Sequence, residues 1–168
     1  MATGLGTAPA PATADVSMQK LRAQQIVGAS ASWFLWIAGL SLVNSVIGLA
    51  GGNLHFIVGL GITQIVDAIA HSVGTAGIVL DLIINGIVAG IFVFFWHFAR
   101  KGQKWAFLVG MVLYAADGLL LVFFKDILSV AFHAYALYRM YGGLKALPVL
   151  QKAEATSQMA AGAPIIPR

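Results

Sequence analysis

Seven ionisable or amide side chains lie inside, or directly beside, segments that are otherwise apolar. They are Asn44, Asp67, His71, Asp81, Asn85, Asp117 and His133. An ionisable group within a membrane costs free energy unless it is paired or hydrated, so each of these groups requires an explanation. Buried carboxyl and imidazole groups that lie near one another are suited to proton exchange, since each changes the protonation of the other.

We predict that Asp117 and His133 form the centre of a polar pocket that opens toward the outer side of a membrane. The other five residues are expected to surround this pair, with Asp81, Asn85 and Asn44 lining the pocket and Asp67 and His71 capping it. Three interpretations remain open. The residues form a closed hydrogen-bonded network that only stabilises the fold, or they bind a proton, a cation or a small polar ligand, or they take part in catalysis.

Metal and catalytic chemistry receive weaker support. Carboxylates and imidazoles can bind a borderline divalent metal, and Asp67 and His71 share one helical face, although a hydrogen-bonded pair is the favoured interpretation there. No cofactor is predicted, while a divalent metal remains possible. The chain has no Cys, and it lacks the G-x-S-x-G, H-E-x-x-H and G-x-x-x-x-G-K-[ST] motifs of common hydrolases and nucleotide-binding enzymes.

The composition indicates which elements must position these residues. Of the 168 residues, 60% are hydrophobic and only 10% are charged, whereas about a quarter of the residues of a soluble domain are charged. The apolar runs are continuous rather than alternating, which predicts helices and not a β-barrel. The net charge is +4, but the basic residues lie at the ends of apolar segments, so we do not expect nucleic-acid binding. The predicted fold class is an all-α polytopic membrane protein.

Four segments are predicted to cross the bilayer, over residues 31–50, 77–99, 105–124 and 127–147. The segment 54–73 is amphipathic and is expected to lie at the outer interface or to re-enter the membrane. Lys125 and Asp126 are expected to form a tight turn between the last two spans. The transmembrane domain thus covers 26–147, between a disordered tail at 1–25 and a flexible tail at 148–168.

Charge placement favours this topology. If 54–73 does not cross, nine of the ten Lys and Arg residues lie on one side, and only Lys125 lies on the other. Basic residues accumulate on the cytoplasmic side of membrane proteins, so both termini are predicted to be cytoplasmic. A topology with five spans remains the alternative.

The same topology places the polar residues at one level. The helical rise of about 1.5 Å per residue puts Asn44, Asp81, Asp117 and His133 within roughly 6–12 Å of the outer boundary. Asp81 with Asn85, and Ser129 with His133, are i, i+4 pairs that share a helical face. Close approach of helices is expected at the Gly86-xxx-Gly90 motif.

The stretch WHFARKGQKWAFLVGMVLYAADGLLLVFFKDILSVAFHAYALYRMYGGL, residues 96–144, resembles small bacterial inner-membrane proteins of no assigned activity. The resemblance implies a location in the inner membrane and carries no functional residue. We therefore expect a non-catalytic protein with an outward-facing polar pocket, embedded in the lipid bilayer as a homo-oligomer or as part of a membrane complex. The alternatives are an accessory subunit of a larger complex and a metal-assisted membrane hydrolase.

Overall fold

The computed structural model of this chain describes residues 11–49, 60–62, 65 and 75–162. The described residues form helices joined by turns, and no strand occurs among them. The long helices are α1 (Pro11–Leu49), α2 (Thr75–Ala99), α3 (Lys104–Phe123) and α4 (Ile127–Gly162). The predicted all-α fold class is confirmed for this part of the chain.

The four helices form a bundle in which each helix packs mainly against two neighbours. Helix α1 contacts α2 and α4, and α3 contacts the same two helices from the other side. Short turns make α2, α3 and α4 successively antiparallel. Helix α1 runs antiparallel to α4, because Ser30 lies against Gly143 whereas Trp33, further along α1, lies against Tyr135.

Within the described part of the chain, three helices are long and apolar enough to cross a membrane. Their apolar segments are Ala14–Ile47, Leu82–Ala99 and Lys104–Phe123. Helix α4 is more polar, because it carries His133, Arg139 and three tyrosines. The Arg139 guanidinium donates a hydrogen bond of 3.0 Å to the hydroxyl of Tyr135. The chain therefore has the features of a membrane protein, and the crossing of the membrane by α4 stays a prediction.

Two helices are longer than the predicted spans. Residues 11–25 and 148–162, expected to be loose tails, are helical. Both stretches are rich in Ala, the strongest helix former, and Pro11 occupies the first helical position, where its missing N–H group has no cost. Helix α1 has 39 residues and is about 58 Å long, so it extends well beyond a hydrocarbon layer of about 30 Å. The amphipathic segment 54–73 lies outside the described residues, apart from 60–62 and 65.

A cluster of aromatic rings fills the middle of the bundle. Phe34 of α1 is fully buried, and its ring centroid lies 6.3, 6.1 and 6.0 Å from those of Phe92, Phe95 and Phe107. These separations are typical of tilted and edge-to-face ring pairs, which add to the free energy gained by burial. The cluster joins α1, α2 and α3 in a single core.

The glycine that permits this packing is Gly110 of α3. A Cβ atom at this position would lie 2.6 Å from Cε1 of Phe34, so only glycine leaves space for that ring. By contrast, an added Cβ at Gly86 or Gly90 would meet nothing within 4 Å, and both residues are exposed. The expectation that the Gly86-xxx-Gly90 motif brings helices together is therefore wrong for the described packing.

The turns that follow α2 and α3 end these two helices in the same way. After α2, Gly102 has a φ of 78°. Its N–H group donates to the carbonyl of Ala99, and the N–H group of Gln103 donates to the carbonyl of Phe98. After α3, Lys125 has a φ of 57°, and its backbone N–H group donates to the carbonyl of Val122. This is the Schellman arrangement, in which a left-handed residue ends a helix. The predicted tight turn at Lys125 is present.

These turns identify the two ends of the bundle. A Cβ at Gly102 would lie 3.8 Å from the side chains of Leu147 and Leu150, so the turn between α2 and α3 lies beside the second half of α4. We call this the basic end, because Arg22, Arg100, Lys101 and Lys145 lie there. The turn at Lys125 marks the opposite end.

Asp126 directly precedes the first residue of helix α4. Its carboxylate accepts hydrogen bonds from the backbone N–H and the hydroxyl of Ser129, and its carbonyl accepts the first intrahelical bond, from Val130. This is an N-cap, which satisfies an N–H group that has no partner within the helix. The hydrogen bond from the Ser129 hydroxyl, with smaller contributions from the N–H groups of Ser129 and Leu128, holds the pKa of Asp126 below its usual value.

The close contact at Gly110 gives the first prediction. Gly110→Ala should destabilise the bundle by about 1–3 kcal/mol, because the added methyl group displaces the Phe34 ring. Gly90→Ala is the matched control, and it should stabilise α2 by about 0.5–1 kcal/mol, since alanine is the better helix former and its Cβ enters open space. Thermal unfolding of both variants in detergent measures the difference. Equal unfolding temperatures would contradict the packing at Phe34.

The cap gives the second prediction. Asp126→Ala should cost about 1 kcal/mol at neutral pH. Because the folded protein lowers the pKa of Asp126, the carboxylate stabilises the fold above the ordinary carboxyl pKa of about 3.9 and this contribution is lost as the pH falls through the lowered value. The difference in stability between wild type and Asp126→Ala should therefore shrink in acid. Asp126→Asn retains a capping oxygen without a charge, and its difference from Asp126→Ala should not change with pH.

Candidate functional site

The candidate site is built on a buried pair of side chains from α3 and α4. Nε2 of His133 lies 3.0 Å from Oδ2 of Asp117. Asp117 is 7% exposed and His133 is 2% exposed, so neither group is solvated as it would be at a protein surface. A buried ionic or hydrogen-bonded pair is sensitive to the loss of either partner, because the group left behind is buried without compensation.

The carboxylate of Asp117 also holds a distant part of the chain. Its Oδ2 accepts a hydrogen bond of 2.8 Å from the backbone N–H of Gly61, and its Oδ1 accepts one of 2.9 Å from the N–H of Ile62. Helical structure begins at Gly61. The side chain of Asp117, from another helix, therefore satisfies N–H groups at the start of that turn, as an N-cap side chain does within its own helix. Leu60, which precedes the turn, is 2% exposed, so its side chain packs into the core of the bundle.

The docking of this segment is tight. A Cβ atom at Gly61 would lie 3.1 Å from the backbone oxygen of Asp117 and 3.1 Å from Cγ of Leu121. Contacts this short leave little room for a side chain, so glycine allows the backbone to approach α3 closely. The two N–H groups can reach the carboxylate because of this approach.

The hydrogen bonds of His133 determine how many protons the site carries. Nδ1 lies 2.8 Å from the carbonyl oxygen of Ser129, and a carbonyl oxygen only accepts, so Nδ1 carries a hydrogen. Nε2 faces Oδ2 of Asp117, and one hydrogen must lie between these two atoms to form a hydrogen bond. Either an imidazolium faces a carboxylate, or a neutral imidazole faces a carboxylic acid. Both arrangements hold the same number of protons and have no net charge.

Tyr114 and Gly118 fix the orientation of the imidazole ring. The Tyr114 ring is buried and stacks on that of His133, with centroids 4.1 Å apart and planes 14° apart. A Cβ at Gly118 would lie 3.2 Å from Cβ and Cδ2 of His133, so glycine leaves space for the histidine on that side. Tyr114, Asp117 and Gly118 are spaced i, i+3 and i+4, which places them on one face of α3.

The remaining predicted residues stand as follows. Asn85 is fully buried in α2, and Asn44 is half-buried in α1. Asp81 belongs to α2, and its side chain lies outside the described part of the structure, as do Asp67 and His71. Of the seven predicted residues, the structure thus shows direct contact for the central pair, Asp117 and His133.

The described residues hold no group of three or more His, Cys, Asp or Glu side chains arranged to bind a metal ion. The Oδ2 and Nε2 atoms that could serve as metal ligands instead face each other at hydrogen-bonding distance. Asp117 and His133 thus form a hydrogen-bonded pair that shares one proton.

Sequence reasoning missed the backbone N–H groups of Gly61 and Ile62, which have no signature in residue type. It also missed the stacking of the Tyr114 ring on His133. The i, i+3, i+4 spacing of Tyr114, Asp117 and Gly118 is the signal in the sequence that could have indicated this packing.

Comparisons with protein-family models, with curated proteins and with solved structures give no match to this chain.

The three hydrogen bonds to Asp117 give a third prediction. Asp117→Ala should cost about 3–5 kcal/mol of folding free energy, because it leaves His133 and two backbone N–H groups buried without their acceptor. Asp117→Asn should cost about 1–2 kcal/mol, since its oxygen can still accept from Ile62 and its amide can donate to a neutral His133. Chemical unfolding in detergent compares the two variants. Equal losses would show that the hydrogen bonds at Asp117 do not stabilise the fold.

Proposed function

We propose that this protein is a non-catalytic inner-membrane protein of bacterial type that holds an exchangeable proton in its Asp117–His133 pair. The observation that supports this proposal is the position of the His133 ring between two hydrogen-bond acceptors, the Ser129 carbonyl and the Asp117 carboxyl group. The pair needs one shared proton to keep its contact. Because this hydrogen bond requires the proton, loss of the proton is expected to break the contact between the two side chains.

The proposed topology has four spans, with α4 as the fourth and both termini in the cytoplasm. Its support is the arrangement of charge in the bundle, since the basic end holds the cations that accumulate on the cytoplasmic side. Asp117 lies six residues from the last residue of α3, and His133 lies six residues from the first residue of α4. Both are therefore about 9 Å from the opposite end, which would face outward.

Loss of the shared proton would change the structure around the pair. The site would then carry one uncompensated negative charge, and the Nε2 lone pair would face the carboxylate. A buried charge without a partner is costly, so α3 and α4 would separate locally or a cation would enter in place of the proton. Because Asp117 also accepts hydrogen bonds from Gly61 and Ile62, deprotonation would reach the segment that begins at Leu60.

A second function has support from the same site. Asp117 forms three hydrogen bonds, with His133, Gly61 and Ile62, which is typical of a closed network that specifies packing. In that case the protein would be an accessory subunit whose apolar outer faces contact a larger membrane complex.

The proton-holding function predicts a pH-dependent stability. The unfolding temperature of the wild-type protein in detergent should fall as the pH rises and the pair loses its proton, because the folded state then contains an unpaired charge. Asp117→Asn carries no exchangeable proton at this position and should lose this step. His97→Gln is the matched control, since it removes an exposed imidazole at the basic end and should retain the step.

Two further measurements separate the candidate functions. Nitrogen-15 NMR of labelled histidine should show two protonated ring nitrogens or the Nδ1–H tautomer for His133 in wild type, and only the neutral Nδ1–H tautomer in Asp117→Asn. Identical pH profiles of unfolding for wild type and Asp117→Asn would refute the proton-holding function. Native mass spectrometry after gentle extraction would then test the accessory role, which requires a reproducible heteromeric mass.

A further inference from the structure

A groove runs between the first part of α1 and the second half of α4, at the basic end of the bundle. Its volume is about 350 Å³, and sites for small molecules are typically about 300–1,000 Å³. The residues that line it are Gln19, Arg22, Ala23, Ile26, Gly142, Lys145, Ala146 and Val149. The groove is far along both helices from the Asp117–His133 pair, so it is a separate feature of the molecule.

The groove combines an apolar floor with two cations. Ala23 and Ala146 are buried in it, Ile26 and Val149 add exposed apolar surface, and none of the described residues that line it is acidic. Neither Arg22 nor Lys145 forms an ion pair within the part of the chain that the structure describes. Lys145 instead lies over the ring of Tyr141, with Nζ 4.9 Å from the ring centroid. The groove therefore offers two positive charges that no described acidic side chain neutralises.

The position of the groove matches the level of lipid headgroups. Lys145 lies two residues before Leu147, which contacts the turn after α2, where Arg100 and Lys101 lie. Trp96 and Trp105 flank the same turn, and tryptophan is enriched at the interface between membrane and water. A ligand at this level would meet cations at the interface and apolar side chains toward the bilayer.

We propose that this groove binds one anionic phospholipid of the surrounding bilayer. The phosphate group is held by Arg22 and Lys145, and an acyl chain lies along Ala23, Ile26 and Gly142, which continue from these cations toward the bilayer. A guanidinium and an ammonium group both bind phosphate, and the guanidinium can do so through two hydrogen bonds. Charge complementarity and the apolar floor together select a molecule that is anionic at one end and apolar at the other.

Gly142 provides a way to test the acyl-chain part of the site. A Cβ at Gly142 would meet only Oγ of Ser30, at an ordinary contact distance of 3.6 Å. A leucine at this position can therefore be accommodated by the fold and would occupy part of the groove. Its neighbour Gly143 cannot be used in this way, because a Cβ there would lie 2.5 Å from Cβ of Ser30.

The test is native mass spectrometry of delipidated protein with added phosphatidylglycerol or phosphatidylcholine of the same acyl chains. We expect one bound phosphatidylglycerol per chain and much weaker binding of phosphatidylcholine. R22Q/K145Q should weaken phosphatidylglycerol binding by roughly 30-fold, since each basic residue near a membrane contributes a factor of about five. R22K/K145R should restore binding, and the unfolding temperature of each variant reports whether the fold is intact. G142L should weaken binding although both cations remain.

The matched control is R100Q/K101Q, which removes two cations from the same end but outside the groove and should bind phosphatidylglycerol as wild type does. An equal loss in both double variants would overturn the proposal, because it would indicate attraction to the surface charge in general. Equal binding of the two lipids, or unchanged binding by G142L, would also overturn it. Glycerol phosphate should not compete, and efficient competition would show a site for free phosphate groups instead of a lipid.

Discussion

The packing at one end of this bundle depends on a single requirement, that a carboxylate surrounded by apolar helices must have hydrogen-bond donors for its oxygens. Asp117 meets this requirement with donors from two parts of the chain, the imidazole of His133 and the backbone N–H groups of Gly61 and Ile62. Water is scarce in such surroundings, so these donors cannot be exchanged for solvent without a loss of free energy. The carboxylate therefore sets the register of α3 against α4 and the position of the segment at Leu60.

The other half of the bundle is stabilised by close packing of side chains against glycines. Phe34 packs among the rings of α2 and α3, and the absence of a side chain at Gly110 makes room for it. Gly143 plays a similar part between α4 and α1, where a Cβ would clash with Ser30. Helices in a membrane gain little from the hydrophobic effect when they associate, so close van der Waals contact at small residues is an important source of stability. Polar satisfaction and steric fit thus stabilise opposite ends of the molecule.

The two proposed sites lie at these two opposite ends of the bundle. The Asp117–His133 pair lies about 9 Å from the end marked by Lys125, where few cations are present. The groove beside Arg22 and Lys145 lies at the basic end, where an anionic lipid would be attracted. If both proposals hold, one lipid would pack against α1 and α4 near their cytoplasmic parts while the protonation of the pair affects α3 and α4 near the outer surface. Helix α4 is common to both sites.

The sequence alone determined the all-α class, the apolar runs of α1, α2 and α3, the turn at Lys125, and the presence of the polar groups Asp117 and His133 within otherwise apolar segments. These features depend on residue type and local periodicity, which any window of the chain displays. Tertiary structure decided which groups meet. Many glycines have the spacing for helix contacts, yet Gly110 is close-packed and Gly90 is exposed, because only the arrangement of all four helices determines which face turns inward. The hydrogen bonds from Gly61 and Ile62 to Asp117 span more than fifty residues and use backbone atoms that every residue has, so no pattern of side chains could have predicted them.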